Sequence, residues 1–274
     1  MRFPSLVLLA ATGGAFVAAP PLCAQSAAAD PATASTASPA SDSLRARSAA
    51  SASDAPVVRL LTPERAAQLR ARKWIYVTRL MGNGPPSRLG FRTLELSEAS
   101  WHGTPAWLLV DSRQLATVTL AESLYVARND LSPLYRVLHA PGSDVSATYG
   151  ADSIRTAFDD STGHTVVAMA SAPAVLGNMY LLELLIGGAP LHVGWAGRAD
   201  WAVASREQSS IVPVTMRVTG DETVLAPDGS FDCWLVEMAV GRSTERLWVR
   251  KSDGVVVRER LPVVGMAGAE IELL

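Results

Sequence analysis

From about Lys73 onward the chain alternates apolar and polar positions with a period of two, the mark of half-buried β-strands. Lys73 to Met81 (KWIYVTRLM) is rich in β-branched and aromatic residues and ends at the turn Gly82-Asn83-Gly84-Pro85-Pro86. Phe91 to Ser97 sets Arg92, Leu94 and Leu96 against Phe91, Thr93 and Glu95, and His102-Gly103 turns the chain into Pro105 to Ser112 and then Ala116 to Val126. Leu134 to His139 follows the loop Asn129 to Pro133. Beyond Pro141-Gly142 come Val145 to Tyr149, Ser153 to Phe158 and, past the polar turn Asp159 to Gly163, His164 to Ala170. The last third repeats the pattern most regularly. Val212, Val214, Met216 and Val218 share one face, and Gly220 to Leu225 runs to Asp228-Gly229, a hairpin signal. Phe231 to Met238, Glu245 to Arg250, Val255 to Leu261 and Glu270 to Leu274 complete the series.

Two segments break the period. Thr62-Pro63-Glu64 reads as a helix start, with a capping hydroxyl and Pro at the first helical position, predicting a helix from Pro63 to about Arg72. Pro173 to Ile186 (PAVLGNMYLLELLI) carries Val175, Leu176, Met179, Leu182, Leu185 and Ile186 at helical spacing and stops at Gly187-Gly188. It is apolar on nearly every face, with Glu183 as its only charge. Such a helix must be covered on most sides, so it is expected on or inside a concave sheet. The fold class predicted is mainly β: a large curved antiparallel sheet with one or two helices packed on its concave side.

The N-terminus has a different composition. Met1 to Ala24 reads as a signal peptide, with Arg2 at the start, the short apolar core Leu6 to Ala19, and Pro20-Pro21 before a small-residue cleavage pattern. A bilayer-spanning helix needs about 20 apolar residues, so this core is too short for a membrane anchor. Cys23 follows Leu22, a poor fit to the small residue that precedes a lipid-modified Cys, and is read as part of the removed peptide. Residues 25–56 are almost all Ala, Ser, Pro, Thr and Asp, a composition that cannot offset its ordering entropy and is expected to stay disordered. Residues 57–274 then form one β domain. The address implied is the periplasm or outer membrane of a Gram-negative-type bacterium.

Charge and composition exclude several function classes. Residues 1–56 hold Arg2, Arg45 and Arg47 against Asp30, Asp42 and Asp54, so the β domain from residue 57 keeps the net charge of −2. A nearly neutral, mixed surface argues against nucleic acid and gives no electrostatic reason to sit on anionic lipid. Cys233 is the only cysteine left after processing and falls on an alternating strand, where a buried inert thiol is expected rather than a nucleophile. His102, His139, His164 and His192 share no metal-ligand spacing, and Asp159 and Asp160 before Ser161-Thr162-Gly163 read as turn formers rather than ligands. There is no Gly-x-Ser-x-Gly elbow, and Gly82-Asn83-Gly84 runs into prolines that cannot open a phosphate-cradling helix. No catalytic residue, cofactor or metal site is expected. Trp74, Trp107, Trp195, Trp201, Trp234 and Trp248 read as core aromatics.

The final third also resembles a recurring segment of uncharacterised exported bacterial proteins. It reads Gly220-Asp221-Glu222-Thr223-Val224, then Ala226-Pro227-Asp228-Gly229-Ser230-Phe231-Asp232-Cys233-Trp234, then Leu247-Trp248-Val249 and Lys251-Ser252-Asp253-Gly254-Val255-Val256-Val257-Arg258. Asp130-Leu131-Ser132-Pro133 and Ala189-Pro190-Leu191 are similar as well. Pro227-Asp228-Gly229-Ser230 departs from the Pro-Ala-Gly that many such segments have before the aromatic. These domains of unknown function resemble the lipoprotein-carrier superfamily of the LolA/LolB type, in which a curved antiparallel sheet wraps helices around an apolar cavity. The resemblance implies a cavity lined by Trp74, Trp107, Met179, Leu182, Met216 and Trp234, and a lipid or other apolar ligand as partner. The alternative is an envelope scaffold or protein-interaction module with the same fold and a filled core.

Overall fold

A computed structural model describes residues 67, 69–82, 85–171, 175–241, 243–262 and 268–274. The signal peptide, the leader and most of the helix expected from Pro63 lie outside the described residues. That helix does not reach Arg72, because residues 69–71 are non-helical and the first strand starts at Arg72.

Fifteen strands form one curved, open sheet. They are β1 (Arg72–Met81), β2 (Ser87–Trp101), β3 (Thr104–Leu115), β4 (Val118–Ala127), β5 (Pro133–Ala140), β6 (Ser143–Tyr149), β7 (Ser153–Asp160), β8 (Gly163–Ala170), β9 (Val175–Leu176), β10 (Ala196–Ala204), β11 (Ser209–Ala226), β12 (Gly229–Val240), β13 (Ser243–Arg250), β14 (Val256–Leu261) and β15 (Gly268–Leu273). The order across the sheet is β8 back to β1, then β15 back to β9, so two meanders meet at a seam where β1 pairs antiparallel with β15. Every pairing is antiparallel except β9 with β10.

The sheet bends until its two edges approach. Arg206, in the β10–β11 turn, donates to Thr165 Oγ1 at 2.6 Å and to the Gly163 carbonyl at 2.9 Å, and pairs with Asp160 at 2.9 Å. Ile154 of β7, Val175 of β9 and Ala202 of β10 form a small apolar cluster across the gap.

The enclosed space is occupied by one helix, α1 (Met179–Gly187). Its sequence explains both ends. Asn178 is the N-cap, its Oδ1 accepting from the Leu181 amide at 2.9 Å, and Gly188 and Ala189 donate back to the Leu185 and Ile186 carbonyls. The expected helix from Pro173 is therefore shorter, for Val175–Leu176 pairs with β10 instead. Asn178 sets that boundary, since its side chain satisfies a first-turn amide only if the helix begins after it. All of α1 is buried except for the partial exposure of Leu184 and Gly187, as a helix apolar all round requires.

Residues paired across a ladder share a face. On the concave face, Leu96 of β2 opposes Leu109 of β3, which opposes Leu124 of β4, and Tyr76 of β1 opposes Leu273 of β15. The β11–β12 hairpin bends at a bulge between Val218 and Gly220, and Arg258 of β14 donates to the Leu225 carbonyl near its tip at 2.8 Å. On that same outer face Arg79, Glu272, Arg258, Glu270 and Arg260 alternate in sign beside the buried Trp248, whose indole N–H donates to Glu222.

Candidate functional site

The concave face is not uniformly apolar. Strand alternation points Arg92 of β2 inward between Tyr76 and the two leucines that follow it, and Arg92 is completely buried. Its Nε donates to Asp111 Oδ1 at 2.6 Å, and its Nη1 and Nη2 donate to Glu183 Oε2 and Oε1 at 3.1 and 2.8 Å. The forked guanidinium thus clamps α1 to β3, the bidentate geometry for which Arg is suited. Asp111 also accepts from Arg113 Nε at 2.8 Å. The Tyr180 ring lies between the two guanidiniums, 4.4 Å from Arg92 Cζ and 4.6 Å from Arg113 Cζ. Glu259 of β14 stands 3.6 Å from Arg92, and Glu245 of β13 lines the same small cavity. A second buried group sits beside the helix N-terminus: Glu122 Oε1 accepts from Arg136 Nε at 2.7 Å and from Asn178 Nδ2 at 3.0 Å, and the Tyr149 hydroxyl donates to the Gly177 carbonyl.

Burial and neighbours divide these carboxyl groups. Burial acts to raise Asp111, but Arg113 and Arg92 outweigh it and hold Asp111 below the usual carboxylate range. Burial raises Glu183 despite Arg92, and burial together with the Glu183 charge lifts Glu259 well above its ordinary value. Burial, then Glu183, pushes Glu245 up to about 7 against the pull of Arg113. Burial pushes Tyr149 up to about 12 and raises Tyr76 further.

Two cavities flank this group, and Glu183 lines both. The smaller, about 10 Å³, is bounded by Arg113, Met179, Tyr180, Glu183, Met238, Glu245, Glu259, Leu261 and Ile271, with room for about one water molecule. The larger, about 300 Å³, opens at the C-terminal end of α1. Its walls are Trp74, Tyr76, Leu94, Leu96, Leu184, Leu185, Val255 and Val256, and Arg70, Arg72 and Asp253 also line it. Both carboxylates of the lining are already held by arginines from outside it, Asp253 by Arg250 through two hydrogen bonds of 2.7 Å and Glu183 by Arg92. At its floor the helix end meets the β13–β14 turn so closely that a Cβ on Gly187 or Gly254 would strike the other's carbonyl group. Gly254 also sits at φ +72, where Gly is favoured.

Among the expected cavity residues, only Trp74 lines the larger cavity, and Met179 lines the smaller. Trp107, Leu182 and Met216 are buried in the core and line neither of these two cavities. Trp234 is half-buried with the Lys251 ammonium 4.2 Å above its ring. Cys233 is buried, and burial pushes its thiol up to about 11, as expected of an inert core residue. Asp160 forms the turn read from the sequence, accepting from the amide and hydroxyl of Thr162 at 2.6 Å. The charged interior was not anticipated. Its signals were Arg92 before Leu94 and Leu96, Arg136 between Leu134 and Leu138, and Glu183 alone in an apolar helix. Trp101 also stacks on Tyr135, with ring centroids 4.6 Å apart.

No family model matches the chain, and no curated protein matches it. Two solved structures align with it. One is a β-barrel-like protein of the domain of unknown function DUF1849 from Brucella abortus, 12% identical, with 75% of this chain and 96% of that one covered and a TM-score of 0.47. The other is the hypothetical lipoprotein YmcC from Escherichia coli, also 12% identical, with coverage of 88% and 97% and a TM-score of 0.29.

Proposed function

We propose that this is an exported, non-catalytic envelope protein that binds one slim apolar group, such as an acyl chain of modest length, in the cavity at the C-terminal end of α1. The supporting observation is that cavity: about 300 Å³, with walls of Trp, Leu and Val side chains and with Arg70, Arg72, Glu183 and Asp253 at its polar part, both carboxylates being already paired with Arg92 and Arg250. It lies at the lower bound of ligand pockets, which run from about 300 to 1,000 Å³. Eight methylenes buried there would contribute about 6 kcal/mol at ~0.8 kcal/mol each, a Kd of roughly tens of micromolar. An anionic head group would face the two arginines. The curved sheet around a helix agrees with the lipoprotein-carrier type, but the space left for cargo lies beside the helix end rather than beneath its whole length.

Native mass spectrometry on the processed chain, purified from an envelope fraction without detergent exchange, tests this reading. A stoichiometric adduct of lipid-like mass that disappears in Leu184→Trp, where a bulky ring enters the cavity, is the expected result. An unliganded mass that persists after incubation with envelope lipids refutes it. The second reading, a scaffold module, draws support from the filled interior: α1 and its ion pairs take up most of the space that a hollow carrier would keep open. It predicts that the same unliganded protein is recovered bound to a partner after crosslinking in the intact envelope.

A further inference from the structure

The interior around α1 carries more carboxyl groups than cations. Facing the small cavity and the Arg92 clamp are Tyr76 from β1, Arg92 from β2, Asp111 and Arg113 from β3, Tyr180 and Glu183 from α1, Glu245 from β13 and Glu259 from β14. β12 and β15 add only Met238 and Ile271 to this face, since Glu270 and Glu272 belong to the outer one. Among the described residues, two guanidiniums therefore stand against four carboxyl groups, around a space with room for about one water. Hydrogen bonds distribute the cations unevenly. Asp111 takes one bond from each Arg, and Glu183 takes both Nη groups of Arg92. Buried Glu259 is left with a 3.6 Å approach, and Glu245, half-buried at the cavity wall, has no hydrogen bond or ion pair among the described residues. A buried charge without a partner neutralises rather than stays ionised.

We propose that the packing of α1 inside the sheet, and with it the shape of the larger cavity, is set by protons held among Glu183, Glu245 and Glu259. Protonated, Glu245 and Glu259 are neutral and can donate to a neighbouring carboxylate, so β13 and β14 close on the helix. Deprotonated, they place like charges against Glu183, whose only strong cation is already shared with Asp111. Relief comes from moving α1 away from β13 and β14 and admitting water. Because Glu183 lines both cavities, that movement alters the walls formed by Leu184 and Leu185. The device operates whether or not the larger cavity takes a ligand. It works near neutral pH, where burial and Glu183 place the Glu245 proton. Asp111, Asp160, Asp253 and Glu272 are held below the usual range and titrate on the acid side, so they do not mask it.

Two measurements on the processed chain decide the matter. The urea midpoint of the wild type, followed by tryptophan fluorescence, should fall by about 1 M between roughly pH 5 and pH 8. Glu245→Gln, which fixes the neutral form, should make that slope shallower and raise the midpoint at the alkaline end, Glu183 and Glu259 supplying the slope that remains. Infrared spectroscopy of the wild type should show the carbonyl stretch of a buried protonated carboxyl at slightly acid pH, lost as the pH rises through about 7. A flat wild-type midpoint, an unchanged slope in Glu245→Gln, or no protonated-carboxyl band overturns the proposal. If the variant does not fold, the wild-type infrared titration decides alone.

Discussion

Replacing Arg92 by Met tests the interior network at its centre. Met keeps most of the aliphatic volume but removes every donor. Glu183 loses both of its hydrogen bonds, Asp111 keeps only Arg113, and Glu259 loses its nearest cation. Breaking a buried ion pair by deleting one partner costs about 3–5 kcal/mol, because the other charge stays buried and uncompensated. With an m-value near 2 kcal/mol/M, the urea midpoint should fall by about 2 M. Glu183 and Asp111 would then bind protons more readily in the folded state than in the unfolded one. Stability rises with pH only where the unfolded state holds more protons, so the deficit should shrink at about pH 5 and grow toward about pH 8. The double variant Arg92→Met, Glu183→Leu removes the orphaned charge along with its partner, and should recover a large part of the loss. Urea titrations of the wild type, both single variants and the double variant measure this directly. A loss below about 1 kcal/mol in Arg92→Met, or additive losses in the double variant, would refute the view that Arg92 clamps α1 to the sheet.

Other perturbations read different parts of the molecule. Asn178→Ala removes the helix cap and a donor to Glu122, and should cost about 1–2 kcal/mol in urea denaturation, whereas the conservative Asn178→Asp should restore the cap but repel Glu122. Gly254→Ala puts a methyl into the Gly187 carbonyl at a positive φ, so it should lower stability by about 1–3 kcal/mol and alter the larger cavity, detectable as a change in Trp74 fluorescence. Cys233 should resist a maleimide at about pH 8 in the folded protein and react fully in urea; rapid labelling of the native state would contradict its burial and raised thiol.

Much of the sheet is written in the local pattern, because strands with one buried face must alternate. Val212 to Val218 is an example: Val214, Met216 and Val218 are buried while Thr215 and Arg217 are exposed. β10 escaped notice for a physical reason. Ala196–Ala204 is built from Ala, Gly and Asp as much as from strand formers, and Gly197 is small because the Trp195 ring occupies the place of its side chain. The charged interior was harder to see. A single Arg in an alternating strand reads as one exposed position, and the partners that bury Arg92 lie 19 and 91 residues away in sequence. Glu183 was visible as the lone charge of α1, but not the fact that β2, β3, β13 and β14 all turn ionisable groups toward it. Trp107, Leu182 and Met216 were rightly placed indoors, yet nothing in their spacing distinguishes a packed neighbour from a cavity wall.

The seam between β1 and β15 also governs how the molecule assembles. Apart from the parallel β9–β10 pairing, each meander is made of antiparallel pairs between sequence neighbours, which close quickly and independently. The seam joins residues such as Arg79 and Glu272, 193 positions apart, and it alone merges the two meanders into one sheet along this line. Closing so long a loop is entropically late, so the hairpins should form first and the seam afterwards. Until then β1 and β15 are open edges with unpaired backbone, and α1 has no complete enclosure. The slowest step of folding is therefore also the interval of greatest exposure to aggregation, and a chaperone that shields an unpaired β1 or β15 would act at the point where this chain is most vulnerable.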